Sequence, residues 1–224
     1  MITSKDNTKK TYLISLAGCG NFGFAYYSSK LFARLGYKVM SVDNTFGHEM
    51  FRVMSKDEDV SVAEAENLVC LCDIALSPEP FSAVDFVVVW HGMDIDDQIW
   101  NMSDLRVVVT DYDPFHVEEL STALEDIGNE AHTVFINKST GKIKEKDIIK
   151  KLGLAKDVYV DIGHQVVDLE ESDAASFQAL EYNYLQSLKG FSSAYRDVVT
   201  DIVGYFIGGK DAKKNIAKII AKVS

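Results

Sequence analysis

The stretch that decides the fold reads YLISLAGCGNFGFA and runs from Tyr12 to Ala25. Its first six residues are mostly apolar and of strand length, and a glycine-rich turn separates them from a helical pattern that covers about residues 24–35. A glycine-rich loop between a strand and a helix lets backbone N–H groups approach a phosphate, and the dipole at the helix N-terminus adds to the attraction. The stretch therefore predicts an α/β protein with a candidate anion site in this loop.

The glycines of this loop fit two binding patterns. As G-x-G-x-x-G they form a dinucleotide fingerprint, and Asp43, 20 residues past Gly23, stands where an acid that binds a ribose is expected. As G-x-x-x-x-G-K-[ST] they form a phosphate-binding loop in which Phe24 replaces the Lys and Ala25 replaces the Mg²⁺-holding Ser or Thr. The first pattern predicts an NAD(P)-binding Rossmann-type oxidoreductase or a nucleotide-sensing regulatory domain. The second predicts an adenine nucleotide, ATP or ADP, as the ligand.

Strand-length apolar runs alternate with helical patterns along most of the chain. The predicted strands are residues 12–17, 38–42, 86–90, 106–110, 133–137 and 158–162. The predicted helices are residues 24–35, 62–71, 114–126 and 144–151, followed by helical pattern from Ser172 onward; Asp113 is the predicted N-cap of the third, with Pro114 at its first position. This alternation predicts a single doubly wound, mostly parallel sheet with helices on both faces, which binds ligands beyond the carboxyl ends of its strands.

Several segments, in order, resemble the MinD/ParA family of deviant-Walker P-loop ATPases. Residues 13–43 look like the family's opening, and residues 84–89 (VDFVVV) are similar to its second-motif strand. Residues 107–114 (VVVTDYDP) resemble its next strand and helix start, and residues 133–138 (TVFINK) resemble the strand that ends in the Asn recognising adenine. The resemblance covers about residues 12–208 and implies a P-loop NTPase-like fold with a nucleotide site.

The chain departs from this family at the positions that act on the phosphates. By the resemblance, Cys19 stands at the signature Lys, Phe24 at the phosphate-binding Lys, Ala25 at the Mg²⁺ ligand and Trp90 at the second-motif Asp. A Phe cannot neutralise a phosphate and an Ala cannot hold a metal ion, so hydrolysis loses both of its electrostatic stabilisers. The resemblance therefore implies a pseudo-ATPase with a degenerate Walker A loop, closest to the pilus- and secretion-localisation members of the family.

Such a protein is expected to act as a spatial organiser or scaffold that recruits protein partners as a homodimer, with little or no ATP hydrolysis. The residues predicted to contact a nucleotide or phosphate are Gly18, Cys19, Gly20, Asn21, Phe22, Gly23, Phe24, Ala25, Asp43, Asn137 and Lys138. No catalytic residue is predicted. A third alternative is an active ATPase in which Lys138 supplies the missing cation.

Composition narrows the function classes. The 224 residues are 47% hydrophobic and 25% charged, which is typical of a soluble globular domain. The net charge of −11 argues against a general nucleic-acid binder, which presents a basic face to phosphates. Cys19, Cys70 and Cys72 form no C-x-x-C pair, so their spacing indicates neither disulfides nor zinc, and we expect a reducing, cytoplasmic setting. The five histidines are scattered, and no metal site is predicted.

Polar side chains that follow two predicted strands are further candidates. His91 and Asp94 come after residues 86–90, and Asp111 and Asp113 come after residues 106–110, so all four are expected on the ligand side of the sheet. They either coordinate a ligand or act as solvated caps. Cys19 is either a nucleophile activated by the helix N-terminus or a small residue that fills the loop.

The last fifteen residues differ from the rest, because they carry five lysines against one aspartate. Ile216, Ile219, Ile220 and Val223 form one apolar stripe at helical spacing. We expect a domain over residues 1–209 and a basic amphipathic helix over 210–224, similar in position to the membrane-binding helix of MinD-type proteins. It would bind an anionic membrane at the inner face of the cell membrane or an acidic partner groove, or else dock on its own domain. The candidate residues are Lys213, Lys214, Ile216, Lys218, Ile219, Ile220, Lys222 and Val223.

Overall fold

The structure, a computed structural model, describes residues 10–19, 22–55, 60–72, 83–125, 130–137, 144–154, 164–182, 187–208 and 212–222. Its strands are β1 (Tyr12–Gly18), β2 (Val39–Asp43), β3 (Val62–Ala65), β4 (Leu68–Cys72), β5 (Phe86–Trp90), β6 (Leu105–Asp111), β7 (His132–Asn137) and β8 (Gln165–Asp168). Its helices are α1 (Gly23–Arg34), α2 (Glu49–Met54), α3 (Asp97–Met102), α4 (Pro114–Glu125), α5 (Glu145–Lys151), α6 (Glu171–Glu181), α7 (Ser193–Ile207) and α8 (Ala212–Lys222).

These strands form one sheet in the order β3-β4-β2-β5-β1-β6-β7-β8. All neighbouring strands are parallel except β3 and β4, which pair antiparallel at one edge. Helices cover both faces of the sheet, so the predicted doubly wound, mostly parallel architecture is confirmed. The glycine-rich loop leaves β1 between β5 and β6, at the centre of the sheet.

The side chains of the central strands alternate between two cores. On β1, Ile14 and Leu16 pack with α1, α2, α6, α7 and α8, while Ala17 on the opposite face packs with α3, α4 and α5. A strand that is buried on both faces reads as a continuous apolar run rather than an alternating one. This is why residues 86–90 (FVVVW) were identifiable as a strand from the sequence, and all five are buried.

The start of α4 is as the sequence predicts. The Asp113 carboxylate accepts a hydrogen bond of 2.8 Å from the backbone N–H of Phe115, and Pro114 occupies the first helical position. The side chain of Asp113 thereby satisfies one of the N–H groups that a helix N-terminus leaves without a partner. The cap holds the first turn of α4, and with it His116, at the carboxyl end of β6.

One predicted element is wrong. Residues 62–71 were expected to form a helix but fold as the β3–β4 hairpin, in which Ala65 and Leu68 face each other across a turn at Glu66 and Asn67. Glu66 adopts a φ of 52°, which reverses the chain in two residues. β4 then gains a parallel partner in β2, and this pairing outweighs the helical spacing of the apolar residues.

The described chain also contains elements that the sequence analysis did not predict, namely α2, α3 and β8. Each has only four to six residues, too short for a hydrophobic period to be read. The strand predicted over residues 158–162 lies outside the described residues. None of the described helices has the length and apolarity that crossing a bilayer requires.

Gly18 fixes the glycine-rich loop against the neighbouring strand. Its φ is +131°, and a Cβ at this position would overlap the carbonyl oxygen of Val109 on β6. Only glycine can make this approach, for both conformational and steric reasons. The same contact brings Cys19 beside the end of β6, because the Cys19 N–H donates to that carbonyl at 3.1 Å.

We expect Gly18→Ala to lower the free energy of unfolding by more than about 2 kcal/mol, since the added methyl group cannot be accommodated without moving β1 from β6. Gly204→Ala is the matched control, because Gly204 lies inside α7 with open space at its Cβ. The control should raise the free energy of unfolding by about 0.5–1 kcal/mol. Urea unfolding measures both free energies. Equal effects of the two substitutions would contradict the steric requirement for glycine at position 18.

Candidate functional site

The loop after β1 begins with backbone groups that are already paired. The Gly18 N–H donates to the carbonyl of Gly92 at 2.7 Å, and the Cys19 N–H donates to the carbonyl of Val109 at 3.1 Å. Two N–H groups of the predicted phosphate loop therefore bind the ends of β5 and β6 instead. Gly20 and Asn21, two further residues of that prediction, lie outside the described residues.

The first residues of α1 point into the core. Phe24 and Ala25 are fully buried, and the Phe24 ring stacks on the ring of Tyr195 from α7, with centroids 4.4 Å apart and planes at 21°. Phe22 and Gly23 are also buried. The sequence analysis placed Phe22, Gly23, Phe24 and Ala25 among the nucleotide contacts; for Phe24 and Ala25 the packing is that of core residues. Neither carries an atom that could neutralise a phosphate or ligate Mg²⁺, so the family's Mg²⁺ site does not fit these residues.

Asp43 lies at the end of β2, but its carboxylate faces its own chain. One oxygen accepts from the N–H and hydroxyl of Thr45 at 3.1 and 2.6 Å, and the other accepts from the N–H of Phe51 at 2.9 Å. Asp43 is only 1% exposed. It therefore closes the turn after β2 and caps α2, which leaves the side chain poorly placed to meet a ribose.

The strand order also differs from that of the dinucleotide-binding fold. In that fold β1 and β2 are neighbours in the sheet. Here β5 lies between them and pairs with both. The topology therefore gives no support to the NAD(P)-binding alternative.

A cavity of about 390 Å³ opens at the carboxyl ends of these central strands, beside Gly18 and Cys19. Among the described residues that line it are the carboxylates of Glu49, Asp94 and Glu119, and none is a Lys or Arg. Carboxylates that line one recess create a negative potential there, which attracts cations and repels anions. The described part of the cavity therefore favours cations over polyphosphates.

Solved structures with the same architecture identify the fold. The MinD of Aquifex aeolicus in its MinC:MinD cell division complex is similar over 93% of this chain and 96% of its own, with a TM-score of 0.59 and 11% sequence identity. A ParA family ATPase from Chlorobium tepidum TLS matches 96% of this chain and 99% of its own, with a TM-score of 0.55 and 13% identity. The chain has the MinD/ParA fold.

A third structure with this fold is a putative plasmid partition protein from Borrelia burgdorferi B31, bound to AMPPNP. It matches 95% of this chain and 99% of its own, with a TM-score of 0.52 and 14% identity. The sequence itself matches no protein-family model and no curated protein. The similarity of this chain to known proteins is therefore a similarity of fold. The segments that resemble the MinD/ParA family had implied this fold.

Two other predicted nucleotide contacts are Asn137, which the resemblance assigns to the adenine, and Lys138, the candidate for the missing cation. Asn137 ends β7, so its backbone lies at the carboxyl edge of the sheet, as the MinD/ParA resemblance implies. The placement of its side chain and of Lys138 lies outside the described residues. Their predicted contact with a nucleotide therefore stays a prediction.

Of the acidic and histidine candidates on the ligand side, Asp94 lines the cavity and His91 forms part of its wall. The His91 ring is buried, with Nε2 3.1 Å from the Ser15 hydroxyl and Nδ1 accepting from the N–H of Asp96 at 3.3 Å. Burial lowers the pKa of His91 to about 4, and the nearby Asp96 only partly opposes this shift. His91 is therefore a neutral structural residue that ties β1 to the loop before α3.

Folding brings a side chain from the loop after β1 together with two side chains that lie about ninety residues later in the sequence. The Sγ of Cys19, a carboxylate oxygen of Asp111 and a ring nitrogen of His116 lie within 4.8 Å of one another. His116 Nδ1 is 2.9 Å from Asp111 Oδ1. Asp111 and Cys19 were candidates in the sequence analysis, whereas His116 was not singled out. Its position in the first turn of a helix opened by Asp113-Pro114 was the signal that could have placed it at this edge.

The C-terminal helix packs on its own domain. Ile216 is fully buried and Ile220 is 8% exposed, both within the core formed with α1 and α7, and Ile219 packs against the same core. Of the alternatives predicted for this helix, the structure has the one in which the apolar stripe docks on its own domain. Binding of these residues to a membrane or a partner stays a prediction. Lys214 and Lys218 are exposed. Val223 and the side chains of Lys213 and Lys222 lie outside the description.

The buried His91 makes stability depend on pH. Its pKa is about 4 in the folded chain and about 6.5 when unfolded, so between these values the unfolded chain binds the extra proton. The free energy of unfolding must therefore fall as the pH falls from about 6.5 to 4, by up to about 3 kcal/mol from this group.

We expect His91→Gln to lose this part of the pH dependence, although the substitution also lowers stability at neutral pH by disturbing the contact with Ser15. Urea unfolding of both proteins at several values between pH 7 and 4 measures the slopes. An unchanged slope in His91→Gln would contradict the assignment of a depressed pKa to His91.

Proposed function

We propose that this chain is a MinD/ParA-like pseudo-ATPase that works as a spatial organiser or scaffold, with little or no ATP hydrolysis. The observation that carries the proposal is the charge of the cavity beside Gly18 and Cys19, whose described lining includes Glu49, Asp94 and Glu119 but no Lys or Arg. Phosphoryl transfer needs cations around the phosphates, supplied by a Lys and Mg²⁺ in P-loop enzymes. The described lining of this cavity instead contributes three exposed carboxylates.

The packing of α1 adds a second argument. The helix position that would carry the phosphate-binding Lys carries Phe24, whose ring is held between α1 and α7 by its stack on Tyr195. An aromatic stack of this kind contributes about 0.5–1.5 kcal/mol beyond the burial of its apolar surface. The side chain thus stabilises the fold in place of binding a nucleotide.

The surface that we propose for recruiting partner proteins is the rim of this cavity. Phe46 and Phe115 are 102% and 82% exposed. Phe46 follows β2 and lines the cavity, and Phe115 lies in the first turn of α4 next to His116, which also lines it. Exposed aromatic rings around a recess are typical of surfaces that bind other proteins. A second copy of the chain is the partner we propose for this edge. The MinD structure with this fold comes from a complex with another protein, MinC, which supports a role in protein recruitment.

The packing of α8 opposes membrane association through this helix. Ile216 and Ile220 would have to leave the core before α8 could insert into a lipid surface. Exposing two isoleucine side chains costs roughly 3–6 kcal/mol. Docking of α8 on its own domain therefore competes with its insertion into a membrane.

We expect ATP with Mg²⁺ at millimolar concentration to leave the melting temperature unchanged and to release no phosphate above the buffer rate. A ligand that binds the native state would stabilise it by RT ln(1 + [L]/Kd), so an unchanged melting temperature reports the absence of binding. The Borrelia burgdorferi partition protein, whose structure holds AMPPNP, is the positive control. A clear thermal shift together with Mg²⁺-dependent phosphate release would contradict the proposal.

We expect Phe46→Ser combined with Phe115→Ser to weaken self-association at least about a hundredfold. In a twofold dimer the two substitutions remove four rings, and a loss of only about 0.7 kcal/mol for each ring gives the roughly 2.7 kcal/mol of a hundredfold change in Kd. Met102→Ser is the matched control, because Met102 is 49% exposed but ends α3 just before β6 begins, at the opposite edge of the sheet. Analytical ultracentrifugation measures the dissociation constants. A monomeric wild-type chain, or equal effects of the control, would overturn the dimer.

A further inference from the structure

The cluster of Cys19, Asp111 and His116 has the chemistry of a metal site. We propose that these three side chains bind one zinc ion, or a similar borderline divalent transition metal, beside the glycine-rich loop, where Cys19 and His116 line the cavity. Nothing in the spacing of these residues along the chain indicates such a site, because each comes from a different element: the loop after β1, the end of β6 and the first turn of α4.

The distances are close to those of a coordination sphere. The three donor atoms lie within 4.8 Å of one another, and His116 Nδ1 is 2.9 Å from Asp111 Oδ1. Around a tetrahedral zinc ion with bonds of about 2.0–2.3 Å, neighbouring ligand atoms lie roughly 3.3–3.7 Å apart. Side-chain shifts of about an ångström therefore convert the present arrangement into a site with three protein ligands.

The donor set selects the class of metal. A cysteine thiolate and an imidazole suit zinc and related transition metals, whereas Mg²⁺ and Ca²⁺ prefer oxygen ligands only. A thiolate and a carboxylate together carry two negative charges, which a divalent ion neutralises. Glu119, one helical turn from His116, lines the same cavity and adds to its attraction for cations.

The exposed fractions of the three side chains are also those of a metal site that solvent can reach. Cys19 and Asp111 are 8% and 6% exposed, while the His116 side chain is 41% exposed at the rim. A metal ion could therefore enter from the cavity and remain open to water at a fourth position. Three protein ligands with an open fourth position are the arrangement in which zinc binds water or a further group.

The backbone holds the cysteine in place before any metal binds. The Cys19 N–H is bound to the Val109 carbonyl, and its Sγ lies 3.9 Å from the Thr110 hydroxyl. Asp111 follows directly in the same strand and also accepts the N–H of Asp113 at 2.9 Å, which fixes its carboxylate at the start of α4. A site whose ligands are already positioned spends little free energy on ordering them. The inference stands apart from the proposed function, because it needs no statement about ATP.

The test is a titration of the metal-free full chain with Co²⁺, followed by competition with Zn²⁺. We expect one Co²⁺ per chain, with a sulfur-to-cobalt charge-transfer band in the near-ultraviolet that Zn²⁺ abolishes. Cys19→Ser should remove the band, and His116→Ala should weaken binding at least about tenfold. His116 is partly exposed, so its substitution leaves the core intact and remains informative if Cys19→Ser fails to fold.

The matched control is Cys70→Ala, because Cys70 lies fully buried on β4 and burial, with Asp43 nearby, raises the pKa of its thiol far above neutrality. The control should keep the band and the stoichiometry. Zn²⁺ should also protect Cys19 from alkylation, read by mass spectrometry of the labelled peptide. Absence of Co²⁺ binding at micromolar concentration, or binding that His116→Ala leaves unchanged, would overturn the site, whatever the ATP measurements show.

Discussion

The contact between Gly18 and the backbone of Val109 determines the geometry at the centre of this molecule. A side chain at position 18 would occupy the space of the Val109 carbonyl, so β1 and β6 can close together only around a glycine. That closure turns the next residue, Cys19, toward the end of β6, where Asp111 and the first turn of α4 begin. The cavity, with its acidic residues, and the cluster of Cys19, Asp111 and His116 lie next to this contact, at the carboxyl ends of β1 and β6.

The second constraint is the aromatic packing between α1 and α7. Phe24 stacks on Tyr195, and Tyr195 stacks in turn on Phe191, with ring centroids 4.3 Å apart. In a phosphate-binding loop the same helix start would carry a cation beside the loop, where its charge serves the ligand. Here the position contributes apolar surface to the core. The chain thus has the MinD/ParA architecture, but the side chain at the start of α1 stabilises the core. The proposed loss of hydrolysis follows from this replacement of a cation by an apolar ring.

Sequence reasoning was most successful where burial is uniform. The central strands β1, β5 and β6 are almost entirely buried and each contains an apolar run, so their lengths and ends could be read within one or two residues. It failed at the β3–β4 hairpin, because β3 is largely exposed and its residues carry no alternating pattern. A left-handed backbone at Glu66 and pairing with β2, which is remote in sequence, decide that region. For the same reason Asp43 could be placed at the end of β2, while its inward hydrogen bonds to Thr45 and Phe51 could not be foreseen.

The sequence by itself determined the layered α/β architecture, the glycine-rich segment after β1 and the presence of Phe24 and Ala25 where the family resemblance expects a Lys and a Ser or Thr. These are properties of hydrophobic period and residue type, which are local to a segment. The tertiary structure decided where Phe24 points, that Ile216 and Ile220 are buried rather than exposed, and that Cys19 meets Asp111 and His116. Each of these depends on contacts between segments tens of residues or more apart, and the energy that selects them is the burial of side chains between elements, which no single segment contains.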